Sequence, residues 1–262
     1  MDTFVCIKRV PETAEVEIKV DSSGRDIIKE RLTFDINESD NYAIEEAILL
    51  KEKLGGQVTL ISLGSAESED ILRMGMAKGA DNAIRVDSSE FGELDGAKTA
   101  EILKAVISKL HFDIIFTGCM ATDDASSQVG PMLAEMLEVP HAVLVTEINV
   151  ENVGQGFSIA KVHRELEGGL MEVVELKLPA VCAIQTGINE PRYASLIAIR
   201  RAAAKEIKVL KKEELGIEEP ALKSSVDALF SPPVGKRAEI FSGSPDETSA
   251  KATAILKEKG LV

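Results

Sequence analysis

FDIIFTGCMATDDASSQVGPMLAEML, residues 112–137, sets the class of fold. The β-branched, apolar run from Phe112 to Gly118 reads as a buried strand, and the apolar spacing after Gly130 reads as a helix. A loop that only joins strand to helix needs a few residues. This one is longer, and crowded with hydroxyls, an Asp123–Asp124 pair and the Gln128 carboxamide, so it calls for a ligand or a partner. TFVCIKRV (Thr3 to Val10), QVTLISLG (Gln57 to Gly64) and NAIRV (Asn82 to Val86) are further strand-like runs. Between them lie helical patterns: NYAIEEAILLKEKLGG, with Ala43, Ile44, Ala47, Ile48 and Leu50 on one face and Gly55–Gly56 as a stop, then SEDILRMGMAKGA and DGAKTAEILKAVISKL. Strands alternating with helices of this length predict right-handed crossovers and a parallel sheet covered on both faces.

After Pro140 the rhythm changes. HAVLVTEINV, FSIAKVHREL and LMEVVELKL are strand-like and separated by the turn-rich ENVGQG and EGG, which predicts an antiparallel extension at the sheet edge. PAVCAIQ returns to a buried-strand pattern, TGINEPRYAS is a loop and LIAIRRAAAKEI a helix. The fold class is therefore α/β: a Rossmann-like, doubly wound, mostly parallel sheet with an antiparallel edge extension, followed by a C-terminal arm and helix. The boundary is placed between a nucleotide-binding α/β domain, 1–206, and an arm with its helix, 207–262. The stretch from Gly216 to Phe241 has three prolines and only scattered Val226, Leu229 and Phe230, so it reads as an arm laid on another surface. Ser244, Pro245 and Glu247 form a capping box with proline in the first turn, and Gly260 ends that helix. A short helix with so few apolar residues needs a surface to dock on.

Composition excludes several classes. The 262 residues carry a net charge of -14 and no Trp, against the basic face and aromatic platforms that nucleic acid requires. Cys6, Cys119 and Cys182 are odd in number and far apart, which suits neither a disulfide framework nor a metal site. A reducing, cytoplasmic location or its mature matrix-like equivalent is expected, with no membrane insertion. His111, His141 and His163 sit at strand edges without partners for a triad or a metal site, so no catalytic residues are assigned.

Ligands of open parallel sheets collect at the carboxyl ends of the strands. The expected lining is Cys6 to Lys8, Leu63 and Gly64, and the loop from Thr117 to Gly130. No GxGxxG follows the first strand and no GxxxxGK[ST] occurs. Ser126, Ser127, Gln128 and the free N–H groups of a helix start can hold a phosphate without lysine. Asp123 and Asp124 would repel that phosphate, so they are read as acceptors from ribose or adenine, or as caps. The loop as a plain helix cap stays open, and so does Asn37 as an N-cap or a ligand contact.

VHRELEGGLMEVVELKLPAVCA (Val162 to Ala183), with Arg164, Glu167, Gly168, Gly169, Glu172 and Pro179 at their spacings, resembles the signature of the beta subunit of electron-transfer flavoprotein. IKRVPET, YAIEEAILLKEK, MAKGAD, the loop at Asp123 and NEPRYASL add to the likeness, which is strongest over residues 1–210. The resemblance implies a heterodimer with an alpha subunit that holds most of an FAD. The dimer would be reduced by flavoprotein dehydrogenases of the acyl-CoA type and reoxidised by a quinone-linked or other acceptor. This chain would bind and guide, with no bond chemistry of its own. The resemblance further implies an adenine nucleotide, most often AMP, on Asp123, Asp124, Ser127, Gln128, Val129 and Gly130, with Cys6, Asn37 and Leu63 as further lining. Members with AMP tend to carry Asn-Gln-Thr where this chain has Ser127-Gln128-Val129. QVGP and VPET look more like the electron-bifurcating branch, whose beta subunit holds a second FAD, yet the Gly-Asp pair of that branch reads Asp124-Ala125 here. AMP and FAD both stay open. NEPRYASL resembles the family's recognition loop, which makes Leu196 the anchor in a dehydrogenase pocket, flanked by Arg192 and Tyr193; the plain alternative makes Leu196 the first core residue of its helix. Arg200 and Arg201 would steer acidic partners or simply face solvent. A stand-alone nucleotide-binding module of the universal-stress type is the alternative from another class, and an enzyme acting on the nucleotide a further one.

Overall fold

A computed structural model describes residues 1–262 apart from 14, 15, 17, 155, 156, 232, 234, 236 and 237. In chain order the elements are β1 (Asp2–Cys6), β2 (Arg9–Pro11), β3 (Phe34–Ile36), α1 (Glu38–Leu54), β4 (Gln57–Gly64), α2 (Glu69–Lys78), β5 (Asn82–Asp87), α3 (Gly96–Ile107), β6 (Ile114–Gly118), α4 (Val129–Met136), β7 (His141–Gly154), β8 (Phe157–Glu165), β9 (Met171–Lys177), β10 (Ala180–Ile184), α5 (Leu196–Ala203), β11 (Lys208–Leu210), α6 (Lys212–Leu215) and α7 (Pro245–Glu258). Nine of the strands form one sheet in the order β11-β5-β4-β1-β6-β10-β7-β8-β9. All pairs are parallel as far as β10–β7, and β7–β8 and β8–β9 are antiparallel. This is the Rossmann-like sheet with the antiparallel extension that the patterns predict. Gln155 and Gly156, at the tip of the ENVGQG turn, and Pro232 of the arm lie outside the described residues.

The central strands are apolar on both faces because helices cover both. On β1, Val5 packs under α1 and α2, and Phe4 and Cys6 pack under α3 and α4. The same alternation divides Ile114 and Phe116 from Ile115 on β6. On α1 the residues Ala43, Ile44, Ala47, Ile48 and Leu50 are buried, and Gly55 ends the helix with φ 76°. Such a positive φ is where glycine costs least.

The run from Thr3 to Val10, read as one strand, divides into β1 and β2, and β3 and β11 have no counterpart in the sequence reading. β2 and β3 make a separate antiparallel pair, and β11 extends the main sheet beside β5. Leu215, on α6, is buried in the core under α3, so the α/β body takes in the stretch just after residue 206, whose pattern reads as the start of the arm. The arm that follows leaves Phe230 81% and Ile240 89% exposed, and α7 has no buried residue. The α7 start has the predicted form: the Ser244 side chain accepts from Glu247 N, and Glu247 Oε2 accepts from Ser244 N at 2.9 Å. Among the described residues no helix is long and apolar enough to cross a membrane.

Candidate functional site

The chain lays β1, β4 and β5 outward in one direction and then returns to the other side of β1 with β6. The crossovers diverge at β1 and β6, and a crevice opens at the carboxyl ends of those strands. It holds a cleft of about 260 Å³. Cys6, Asn37, Leu63, Asp124, Ser126, Ser127, Gln128, Val129 and Gly130, all read from the sequence, line it. Asp123 lies just outside the lining and reaches it through Lys8.

Asp40 ties the floor together. Its Oδ2 accepts from Lys8 N at 2.7 Å beyond the end of β1, and its Oδ1 accepts from Gly118 N at 2.9 Å at the end of β6. Burial pushes this carboxyl up to about 7, although the two amides favour its charged form. Gly118 is required here: a Cβ would overlap the Asp40 carboxylate and the Ser39 hydroxyl. Asn37 stands at the N-cap position of α1 but makes no side-chain cap. Its amide donates to Met120 O at 2.9 Å and accepts from Thr122 N at 3.1 Å, so it shapes the loop instead.

The loop itself turns through Ala125 and Ser127, whose φ values are 51° and 52°. Left-handed backbone at two residues other than glycine is a local cost, of a kind that clusters at ligand-binding segments. Asp124 Oδ1 accepts from Ser126 N at 3.0 Å. Lys8 Nζ bridges Asp123 at 2.7 Å and Asp124 at 2.8 Å, which offsets the repulsion that the acidic pair alone would exert on a phosphate. Desolvation opposes the Lys8 charge, but the two carboxylates outweigh it and hold the ammonium above its ordinary value. The neighbouring helix start, α4, leaves the N–H groups of its first turn without intrahelical acceptors. Beside it the Thr117 hydroxyl is buried and has no partner, and Gly130 packs so near that a Cβ would come to 2.7 Å of Thr117 Oγ1. Unpaired donors, a buried unpaired hydroxyl and a close backbone meet in this corner, a chemistry that suits an anion.

A second region stands apart. Tyr193 is 99%, Leu196 76% and Ile197 64% exposed, which rules out Leu196 as a core residue of this chain. Ser195 caps α5 by accepting from Ala198 N at 3.2 Å. Arg192, expected to face a partner, turns inward to Glu45 and Glu52 on α1.

The family model described as "Electron transfer flavoprotein domain" matches residues 26–215. A protein of Thermoanaerobacterium thermosaccharolyticum named electron transfer flavoprotein subunit beta is 37% identical over 100% of both chains. One of the same name from Bos taurus is 34% identical over 99% of this chain and 98% of its own. Protein FixA of Azotobacter vinelandii is 34% identical over 98% and 93%. The chain belongs to the electron transfer flavoprotein family. Two of these three relatives are named as beta subunits of electron transfer flavoproteins, which sets the chain apart from universal-stress-type modules.

Two cleft residues that the sequence reading missed, Asp40 and Asp95, join segments far apart in the chain. Asp95 caps α3 through Lys98 N at 2.7 Å, while its other oxygen accepts from Lys223 N and Ser224 N at 2.7 Å each, fixing the root of the arm beside the cleft. The Asp-Gly-Ala-Lys start of α3 signals the cap but not the arm. Of the histidines, His163 Nδ1 lies 2.9 Å from Glu147 Oε2 on the antiparallel extension, and His111 is exposed, so neither reaches the cleft. Among the described residues no cluster of His, Cys, Asp and Glu could hold a metal, and the three cysteines are free.

Proposed function

We propose that this chain is the nucleotide-holding beta subunit of a heterodimer whose alpha subunit carries most of an FAD. The dimer takes electrons from flavoprotein dehydrogenases of the acyl-CoA type and delivers them to a quinone-linked or other acceptor. The flavin supplies the redox chemistry; this chain supplies binding and docking. The cleft holds an adenine nucleotide, with its phosphate at the start of α4 and its sugar and base toward Cys6, Asn37 and Leu63. The cytoplasm is the compartment that fits three free cysteines.

The observation that carries this reading is the corner of the cleft where the α4 start meets the unpartnered Thr117 hydroxyl. One observation favours a second FAD over AMP, the QVGP and VPET sequences with Val129 at the loop. The exposed arm and α7 supply the surface that an alpha subunit would cover.

The test is a count. The heterodimer is co-expressed, purified and denatured, and the released FAD and AMP are measured per dimer. Equal amounts of FAD and AMP are expected. FAD at twice the dimer concentration with no AMP would move the reading to the bifurcating type, and a dimer free of adenylate at this cleft would overturn it.

A further inference from the structure

The segment that carries Tyr193, Leu196 and Ile197 runs from a surface loop into the first turn of α5, and hydrogen bonds to the body of the protein hold it at both ends. Arg192 donates its backbone N–H to Glu45 Oε2 at 3.0 Å. Its Nε and Nη2 grip both oxygens of the same carboxylate at 2.9–3.0 Å, and its Nη1 reaches Glu52 Oε1 at 2.7 Å. Asn189, three residues earlier, donates to Tyr42 O at 3.1 Å and Glu46 Oε2 at 3.0 Å. At the far end, Arg73 Nη1 donates to the carbonyls of Ala202, Ala203 and Lys205 at 3.3, 3.0 and 3.1 Å, where α5 runs out. Ala202 O also accepts from Lys205 N at 3.1 Å, and the cation adds to the capping of these last carbonyls and favours the negative end of the helix dipole.

Glu45 is the informative member. It is only 4% exposed, and α1 spends a buried carboxylate on a loop arginine where an apolar pair of like volume would cover the core as well. Buried ion pairs are weak sources of stability, because desolvation offsets their attraction, and their best-supported use is to fix one geometry among several. A guanidinium held by two carboxylates through a backbone amide and its planar fork leaves little freedom to residue 192. The next residue, Tyr193, therefore leaves the body in a set direction. A loop ordered in advance does not lose that entropy when a partner binds.

We infer that Arg192, through Glu45 and Glu52, is a positioning residue that pre-orders the Tyr193–Leu196–Ile197 surface for an apolar pocket on the flavoprotein electron donor. The inference rests on the proposed function in taking the donor as the partner of that surface. Arg192 itself touches neither donor nor flavin. Its effect belongs in the apparent affinity for the donor and not in the electron-transfer step.

The co-expressed heterodimer is compared as wild type, Leu196→Ala, Arg192→Gln, Glu45→Gln and the Leu196→Ala/Arg192→Gln double variant. Flavin reduction is followed while the concentration of a substrate-reduced acyl-CoA dehydrogenase is varied, and amide hydrogen exchange is measured over residues 189–198. Loss of pre-ordering in Arg192→Gln or Glu45→Gln should raise KM for the donor about five- to tenfold, keep kcat within about twofold, and speed exchange in the loop. The double variant should fall short of the product of its single effects, because both act on one surface. If Leu196→Ala raises KM while Arg192→Gln changes neither KM nor exchange, the positioning role is overturned and the docking surface stands. If Leu196→Ala leaves KM unchanged, the docking surface fails and this inference with it. A fall in kcat at constant KM would also overturn positioning, and would place Arg192 in the transfer step or in the stability of the fold.

Discussion

Asp40→Asn tests whether a buried carboxylate holds the cleft floor. Its carboxyl is raised from 3.8 to about 7 by burial. At roughly 1.4 kcal/mol per pH unit, that rise amounts to about 4 kcal/mol. The sign follows from proton binding. Below 3.8 the group is protonated in both folded and unfolded chains and contributes no pH dependence. Between 3.8 and 7 the folded chain binds the extra proton, so stability falls as pH rises, and above about 7 the whole penalty is present. The asparagine has no such slope, but its NH2 must face one of the two amides that Asp40 accepts from, Lys8 N or Gly118 N. A buried donor left without an acceptor costs about 1–3 kcal/mol at every pH. Between pH 5 and pH 8 the wild type is therefore expected to lose about 3 kcal/mol of stability relative to the variant. Urea midpoints of the two heterodimers, measured from pH 5 to pH 8.5, check this, since groups common to both cancel in the difference. A difference that stays flat across that range would refute the argument and mean that Asp40 is charged throughout.

Three further outcomes are expected. Gly130→Ala brings a Cβ to 2.7 Å of Thr117 Oγ1 and 3.4 Å of Ala183 Cβ, so it should lower stability by about 1–3 kcal/mol and abolish co-purified nucleotide; full nucleotide content by chromatography would contradict it. Lys8→Ala leaves Asp123 and Asp124 facing the phosphate uncompensated, and AMP affinity measured by calorimetry should fall about tenfold, whereas the exposure of these pairs keeps the loss in stability within about 1 kcal/mol; unchanged or tighter binding would refute it. Truncation after residue 238 removes α7, which has no buried residue, so the thermal midpoint of this chain should be unchanged while the yield of heterodimer with the alpha subunit drops; an undiminished yield would show that α7 plays no part in assembly.

What was legible in the sequence is what neighbours in the chain decide. The period of α1, the β-branched runs of β1, β4 and β6, the turn chemistry of the antiparallel extension and the Ser244–Glu247 box are all local, and all appear where the pattern puts them. The break between β1 and β2, and the strands β3 and β11, were not legible, because three residues are too few to show a period and their only warrant is the strand beside them. The site divides the same way. The cleft sits where the switch of strand order requires, and the hydroxyl-rich loop lines it. Its charge balance lay out of reach: Asp123 and Asp124 read as repulsive because Lys8, the cation between them, is more than a hundred residues away in the chain. Asp40 and Glu45 carry no mark in the sequence, because their partners, Gly118 and Arg192, are 78 and 147 residues away in the chain.

That both belong to α1 has a physical reason. Asn37 and Asp40 shape the cleft at the helix start, and Glu45 and Glu52 hold the exposed loop farther along. At 1.5 Å per residue, about 7–18 Å of one rigid rod separates Asp40 from those two acids. The apolar face of that rod is packed in the core, with Ile44 and Ile48 fully buried, so neither end can shift without the other. An acidic residue on such a helix is free to serve a distant segment because burial of the opposite face, and not its own ion pair, holds the helix in place.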